Sequence, residues 1–447
     1  MKRILTIFMI LVTTTVISAQ TQLSLEEAIS IALNKNTTLI KAQNNLDGNE
    51  SALKSAYGNL LPSIGIGTSL DWRRTEDPGG PQLNFYGQLD TLEASTSETR
   101  TYAAGISGRW NIFDGLANIA RINQSGENLD AARFSYIKLK QDIILATSQY
   151  YYLVINAEKL MGVREENVKY NQKFLETIQE RNRLGSVPLA DVYTQQVQLG
   201  NAELQFIQAE NDYEQTKSTL LNYLALDVLK EYSFIDPFAN SEVNTNEYLQ
   251  EFKDIKKMVD TAFENRVDYK AQKLTLESAY SGATIARGGL YPSLSANYSY
   301  GSSATQVDNL FDRKVFYINL SLDLPIFSNW NTDYQMQLAS IGIKNAEEDL
   351  SALERQIKIE IKQGYLSFVA GKKSLDVASK NVKAAEENRN INYERYNLGS
   401  GTILEKLQAD RDYQDALRSK INAEYEFYRL KDALLNYLGQ LEIAKYE

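Results

Sequence analysis

The stretch RNRLGSVPLADVYTQQ, Arg181–Gln196, returns as RYNLGSGTILEKLQAD, Arg395–Asp410, 214 positions later. The same offset links Phe113 to Phe327, Asn167 and Val168 to Asn381 and Val382, and Gly185 to Gly399. It also links LLNYL at Leu220–Leu224 to LLNYL at Leu434–Leu438. A register held without a gap over about a hundred residues is an internal repeat, and it restricts the chain to folds built from two similar halves. Length alone, 447 residues, points to about three domains. The repeat overrides that expectation.

Composition removes whole classes of chemistry. The chain has neither Cys nor His. That excludes disulfides, thiolate metal sites, thiol nucleophiles and a Ser–His–Asp triad. The formal net charge of −10 leaves no basic excess for a nucleic-acid partner. No metal-ligand constellation, phosphate loop or pair of catalytic carboxylates stands out, so no cofactor is expected. The acidic pairs Glu26-Glu27, Glu165-Glu166 and Glu386-Glu387 read as solvated helix faces.

The N-terminus reads as an export signal. Lys2 and Arg3 precede an apolar run, Ile4–Ile17, too short to span a bilayer, and Ser18-Ala19 offer small residues for cleavage after Ala19. No later window approaches eighteen apolar residues, so any crossing by the mature chain must use strands.

Most of the chain carries helical spacing. One heptad seam runs Ala132, Tyr136, Leu139, Ile143, Ala146, Tyr150, Leu153, Ala157, Leu160; another runs Leu199, Ala202, Phe206, Ala209, Tyr213, Thr216, Leu220, Tyr223. The second is copied from Tyr413 to Tyr437. Between the two long helices of each half lies a tight reversal, with Gly185 or Gly399 where a helix end needs positive φ and Pro188 beyond the first. The helix entering the first reversal, from Asp114 to about Leu184, would be on the order of 100 Å long at 1.5 Å per residue. Gly162 and the polar stretch after it are a candidate break.

Four stretches alternate instead. Leu61–Trp72 sets Ile64, Ile66, Leu70 and Trp72 against Ser63, Gly65, Gly67, Ser69 and Asp71. Thr101–Phe113 sets Tyr102, Ala104, Ile106, Trp110 and Ile112 against Gly105, Ser107, Arg109 and Asn111. The second half repeats the pair within 291–301 and 315–327. These are four strands, each with one apolar and one polar face. Each hairpin follows a proline, Pro62 or Pro292. Residues 73–100 read as a long loop, which accounts for the 230-residue spacing of the prolines. The expected division is a signal peptide 1–19, a first repeat 20–230 with hairpin 61–113 and helical hairpin 114–230, a linker 231–256, and a second repeat 257–447 with hairpin 291–327 and helical hairpin 328–447.

An ordinary water-facing sheet under helices would also show such strands. Their length of about ten residues, the length that crosses a hydrocarbon core, and the wet Ser/Gly/Asn/Asp face favour a membrane barrel. Four strands cannot close, and an open edge in lipid is forbidden, so copies must pool them in a ring-shaped oligomer.

Together LSLEEAISIALNKN, LLPSIGIG, LYPSLSAN, WNIFDG, LPIFSNW and the two LGS turns resemble the TolC family of outer-membrane efflux channels over essentially the whole mature chain. The resemblance implies a mainly α fold with β: a shared α-barrel of long antiparallel helices, and four transmembrane strands per chain in a trimeric twelve-stranded β-barrel. It implies a homotrimer in the outer-membrane lipid of a Gram-negative bacterium, extending into the periplasm. It also implies a periplasmic adaptor (membrane fusion protein) and an inner-membrane pump of the RND or ABC type. The function it points to is the exit duct of a tripartite efflux pump. Type I protein secretion, a non-channel periplasmic coiled coil and a carboxylate-only glycosidase are the alternatives.

The resemblance also locates a gate. Asp191 and Glu405 each lie six residues after a turn glycine. Three copies would ring a narrow end with acids that favour cations, although capping of the returning helix is an equal alternative. In the family an acid at the first position is held by a Tyr three before the second glycine, here Tyr396. The sequence departs from the family at Gly401, where the best-known latch has Arg, and at Gln408, where a further acid can stand. Closure is then looser or uses Arg181 and Arg395, which also serve as helix-end charges. The exposed tip, Leu184, Gly185, Ser186, Leu398, Gly399 and Ser400, is the expected adaptor contact. Cargo is not encoded in any motif found.

Overall fold

The computed structural model describes residues 21–239, 252, 254–441, 443 and 445. The expected signal peptide and much of the linker, residues 240–251 and 253, lie outside them. The described elements, in chain order, are β1 (Thr21–Leu23), α1 (Leu25–Lys35), α2 (Thr37–Gly58), β2 (Ser63–Asp77), β3 (Gly80–Leu83), β4 (Leu89–Leu92), β5 (Ser95–Asp114), α3 (Ala117–Arg183) and α4 (Leu189–Tyr223). There follow β6 (Tyr232–Phe234), α5 (Ile255–Asn265), α6 (Val267–Gly288), β7 (Ser293–Ala304), β8 (Lys314–Asp323), α7 (Asn331–Asn397) and α8 (Ile403–Tyr437).

The helix lengths recur in order. Helices of 11, 22, 67 and 35 residues appear once before residue 230 and once after. Left-handed backbone recurs at the 214-residue offset: Gly115-Leu116 with Asn329-Trp330, Gly185 with Gly399, and Ala225 with Gly439. Helix α3 runs unbroken through Gly162, contrary to the candidate break there. One interior glycine costs about 1 kcal/mol relative to alanine, too little to interrupt a long helix that lacks proline.

The chain forms two compact units, each discontinuous in sequence. One comprises residues 42–136 and 267–355. Its sheet has the order β2-β5-β7-β8, antiparallel throughout, so β2 and β8 are its edges. Pairing aligns the rows Ile66–Ile106–Tyr300–Phe316 and Ile64–Gly108–Tyr298–Ile318 on one face. On that face Ile64, Ile66, Leu70, Trp72, Phe316, Ile318, Leu320 and Leu322 are all exposed. Ser, Gly and Asn dominate the other.

Three details differ from the sequence reading. A bulge between Asn111 and Phe113 leaves Ile112 unpaired and places Phe113 opposite Leu294, so Phe113 takes the apolar position expected of Ile112. Strand β8 ends at Asp323 rather than running toward Phe327, because Pro325 lacks the N–H a ladder needs. Residues 73–100 are not a loop. β2 continues to Asp77 and β5 begins at Ser95, with Arg73 opposite Thr99 and Asp77 opposite Ser95. β-Branched Thr75, Thr96, Thr99 and Thr101 favour the extended chain, and Arg74 lies 3.8 Å from Glu98 across the ladder. β3 and β4 then form a small second hairpin whose tip is closed by Asn84 Oδ1, accepting from the N–H groups of Tyr86 and Gln88.

The other unit comprises residues up to 41, 137–266 and from 356 onward. Its α1 begins at a capping box in which Ser24 and Glu27 bond reciprocally, so Glu27, exposed as expected, also caps the helix. β1 pairs in parallel with β6, and the Tyr151 hydroxyl lies 2.8 Å from the Leu23 carbonyl and 2.7 Å from that of Ile235. The buried line of α3 here is Ile144, Ser148, Tyr151 and Ile155. Of the expected seam Ile143 is buried as well, but Tyr150 and Ala157 are only half-buried and Leu153 is exposed. This helix is apolar on more than one face, and the single chain covers only one. The second expected seam holds better: Ala202, Tyr213 and Leu220 are buried.

Candidate functional site: the two helical turns

Both turns sit in the helical unit and end their 67-residue helices in the same way. Gly185 (φ 75°) donates to the Asn182 carbonyl at 2.9 Å, and Ser186 to that of Arg181 at 2.8 Å. Gly399 (φ 73°) donates to Tyr396 at 3.1 Å, and Ser400 to Arg395 at 2.9 Å. This is the Schellman arrangement, and it requires the left-handed residue that glycine supplies. Leu184 and Leu398 at the apices are 65% and 80% exposed, and Gly185, Ser186, Gly399 and Ser400 are exposed with them. Along α4, Leu189, Tyr193, Val197, Leu204 and Ile207 form a further exposed apolar stripe.

The two acids have different environments. The first residue before α4 is Pro188, which caps nothing with its side chain, and Asp191 is left free to bond elsewhere. The Tyr396 hydroxyl donates to Asp191 Oδ2 at 3.1 Å, joining the second helical hairpin to the first. Burial, then the Asp191 charge, push the Tyr396 phenol up to about 12, and Arg181 opposes them. Behind this bond Tyr396 packs into an apolar cluster with Phe174, Leu175, Ile178, Val192, Ile403 and Leu407.

Glu405 is a cap. Its Oε2 accepts from the Thr402 N–H at 2.9 Å, and its own N–H donates to Thr402 Oγ at 3.2 Å. The Thr402 backbone bond first, and then the Arg395 charge, hold its carboxyl below the ordinary range. Arg395 stays within its own turn, 3.8 Å from Glu405. Arg181 instead reaches the other hairpin, donating to Asn397 Oδ1 at 3.1 Å. At Gly401 a Cβ would stand 3.0 Å from the Arg395 Cβ, so glycine lets Arg395 fold over the turn. Gln408 is exposed and donates to Asp412 on its own helix.

Sequence reasoning missed a buried charged cluster one turn deeper. Lys406 is 1% exposed. Its ammonium forms an ion pair with Asp410 and lies 3.6 Å from the Phe174 ring centre and 4.7 Å from that of Tyr170. Asp410 also accepts from Arg389 Nε at 3.0 Å, and Arg389 stacks between Tyr170 and Tyr413. Burial pulls the Lys406 amine down, and Asp410 resists it. Gln195 bonds Asn171 beside it. The signal was present: Ile403, Lys406, Leu407 and Asp410 share one helix face, so two charges occupy core positions.

Among the described residues no group of acidic side chains is arranged to hold a metal ion, and no helix is long and apolar enough to cross a membrane. The site is built of turns, hydrogen bonds and packing.

Known proteins agree with this architecture. The chain is 22% identical to the outer membrane protein TolC of Vibrio cholerae, over 96% of this chain and 93% of the relative. It is 23% identical to the pyoverdine export outer membrane protein OpmQ of Pseudomonas putida, over 93% and 85%. The crystal structure of the Campylobacter jejuni CmeC outer membrane channel superposes with a TM-score of 0.78 at 18% identity, over 94% of this chain and 87% of that one. The profile described as outer membrane efflux protein matches residues 28–226 and 258–440. Those stretches begin 230 residues apart (258 − 28) and end 214 apart (440 − 226). With most of its length matched, the chain belongs to the outer membrane efflux protein family, a family of channels rather than enzymes.

Proposed function

We propose that this chain is the outer-membrane exit duct of a tripartite efflux pump, formed by three copies that pool their strands into a twelve-stranded barrel and their long helices into a tunnel across the periplasm. The observation that carries the proposal is the sheet: one face is largely apolar, with its large side chains exposed, and neither edge strand has an outer partner among the described residues. In lipid such edges must pair, and only other copies can supply the strands. The exposed stripe on α4 then packs against the neighbouring copy.

The turns form the periplasmic gate. The bond from Tyr396 to Asp191 is the latch, and Arg181 to Asn397 reinforces it. Glu405, held ionised at each second turn, supplies a ring of negative charge that favours cations. The exposed Leu184, Gly185, Ser186, Leu398, Gly399 and Ser400 are the surface for the adaptor, which draws the hairpins apart when an inner-membrane pump of the RND or ABC type is engaged.

Planar-bilayer recording tests this reading. Purified protein gives small cation-selective pores, and Tyr396→Phe raises their conductance by releasing Asp191. The lost bond is worth about 1 kcal/mol, so the variant still folds. A protein that gives no pores and extracts without detergent overturns the channel. Unchanged conductance in Tyr396→Phe overturns the latch.

A further inference from the structure

The apolar face of the sheet has one dent. Pairing aligns Thr68, Ala104, Ser302 and Lys314 in a single row. Its first three side chains are small, and the row toward the helices carries Ile66, Ile106, Tyr300 and Phe316. Phe311, in the turn between β7 and β8, overhangs the dent. The result is a cavity of about 300 Å³ walled by Ile66, Ile106, Tyr300 and Phe311, with Lys314 at its rim. That volume is at the lower end for sites that hold small molecules.

The cation at the rim is unpaired among the described residues. Neither Lys314 nor the adjoining Arg313 forms an ion pair among the described residues, although Asp308 and Asp312 share their turn. Ser302 Oγ donates to the Arg313 carbonyl, which fixes that turn against the row. Arg100, opposite Trp72 two rows farther from the helices, is a third cation without an acidic partner, because Glu98 is engaged by Arg74. An apolar slot beneath free cations, at the end of the sheet far from the helices, matches an amphiphile whose chain is hydrocarbon and whose head is anionic.

We propose that this dent is a binding site for an acylated lipid with a phosphate headgroup: the acyl chain lies over Thr68, Ala104 and Ser302 beneath Phe311, and the phosphate meets Lys314 and Arg313. The proposal rests on the sheet facing lipid and adds to that reading a defined site on it.

Native mass spectrometry of the detergent-purified assembly tests it, with dioleoyl phosphatidic acid and dioleoyl phosphatidylcholine as probes. The wild type retains phosphatidic acid in preference to phosphatidylcholine. Lys314→Gln lowers that preference about five-fold, as one surface cation warrants. Phe311→Ala, which opens the slot in a turn outside the ladder, loses retention of phosphatidic acid, and Ala104→Leu, which fills it, does the same. Equal retention of both lipids by the wild type overturns the site. So does an undiminished preference in Lys314→Gln or undiminished retention of phosphatidic acid in Phe311→Ala, which would mean general attraction to the barrel wall. Bilayer conductance on the same preparations separates the two failures: intact pores with no lipid preference remove the site alone, whereas absent pores remove the membrane reading beneath it.

Discussion

At the residue scale the helical tip is held by unlike devices at positions the repeat makes equivalent. Asp191 bonds across to Tyr396, while Glu405 closes a local capping box. Sequence spacing made the two acids look alike; they differ because Pro188 cannot cap and Thr402 can. The Glu405 carboxyl is held low, so its contribution is present above the ordinary carboxylate range and is lost as pH falls through the depressed value. Amide protection at residues 402–406, taken relative to intrinsic exchange at each pH, should therefore fall on acidification below that range, and Glu405→Gln should remove that acid-dependent loss of protection. The buried cluster gives a second expectation. Removing Asp410 strands the Lys406 ammonium in an apolar setting, so Asp410→Ala should cost about 3–5 kcal/mol. Lys406→Met combined with Asp410→Leu should recover most of that in thermal melts followed by helical circular dichroism. A double variant as unstable as the single one would mean that Arg389, not Lys406, depends on Asp410.

At the scale of elements, the long helices, the turns and the four strands were legible because each is written twice and each periodicity runs far longer than chance allows. Features written once were not. The β3–β4 hairpin has no counterpart in the second half, where β7 and β8 are joined by a short turn, so residues 73–100 looked like a loop. The bulge at Ile112 was hidden because alternation reads the same up to the residue that breaks it. The cluster at Lys406 was hidden because charged residues on a helix usually face water. Helix α3 shows a different limit. Periodicity revealed an apolar seam but not what covers it, and the chain itself buries the neighbouring line through Ile144, Tyr151 and Ile155. The stripe on α4 has the same character. Val197→Lys, at a position 65% exposed in the single chain, should leave helicity unchanged and shift the detergent-purified protein from assemblies to monomers. Assembly at wild-type strength would show that this stripe faces water.

At the scale of the whole molecule, stoichiometry is the open quantity that edge pairing constrains. Two copies bring eight strands, the practical minimum for closure; three bring twelve. Native mass measurement should give three copies per particle, and two would replace the proposed twelve-stranded barrel with an eight-stranded one. The connectivity has a further effect, on biogenesis. β1, at residues 21–23, finds its only described strand partner at residues 232–234, and the helical unit takes its last segment from residues after 355. A polypeptide threaded from its amino end must therefore keep its leading segment unmatched until half of its length has followed, and cannot finish either unit until the remainder arrives. Export amino end first thus delivers a chain whose two units close only after the second half has followed.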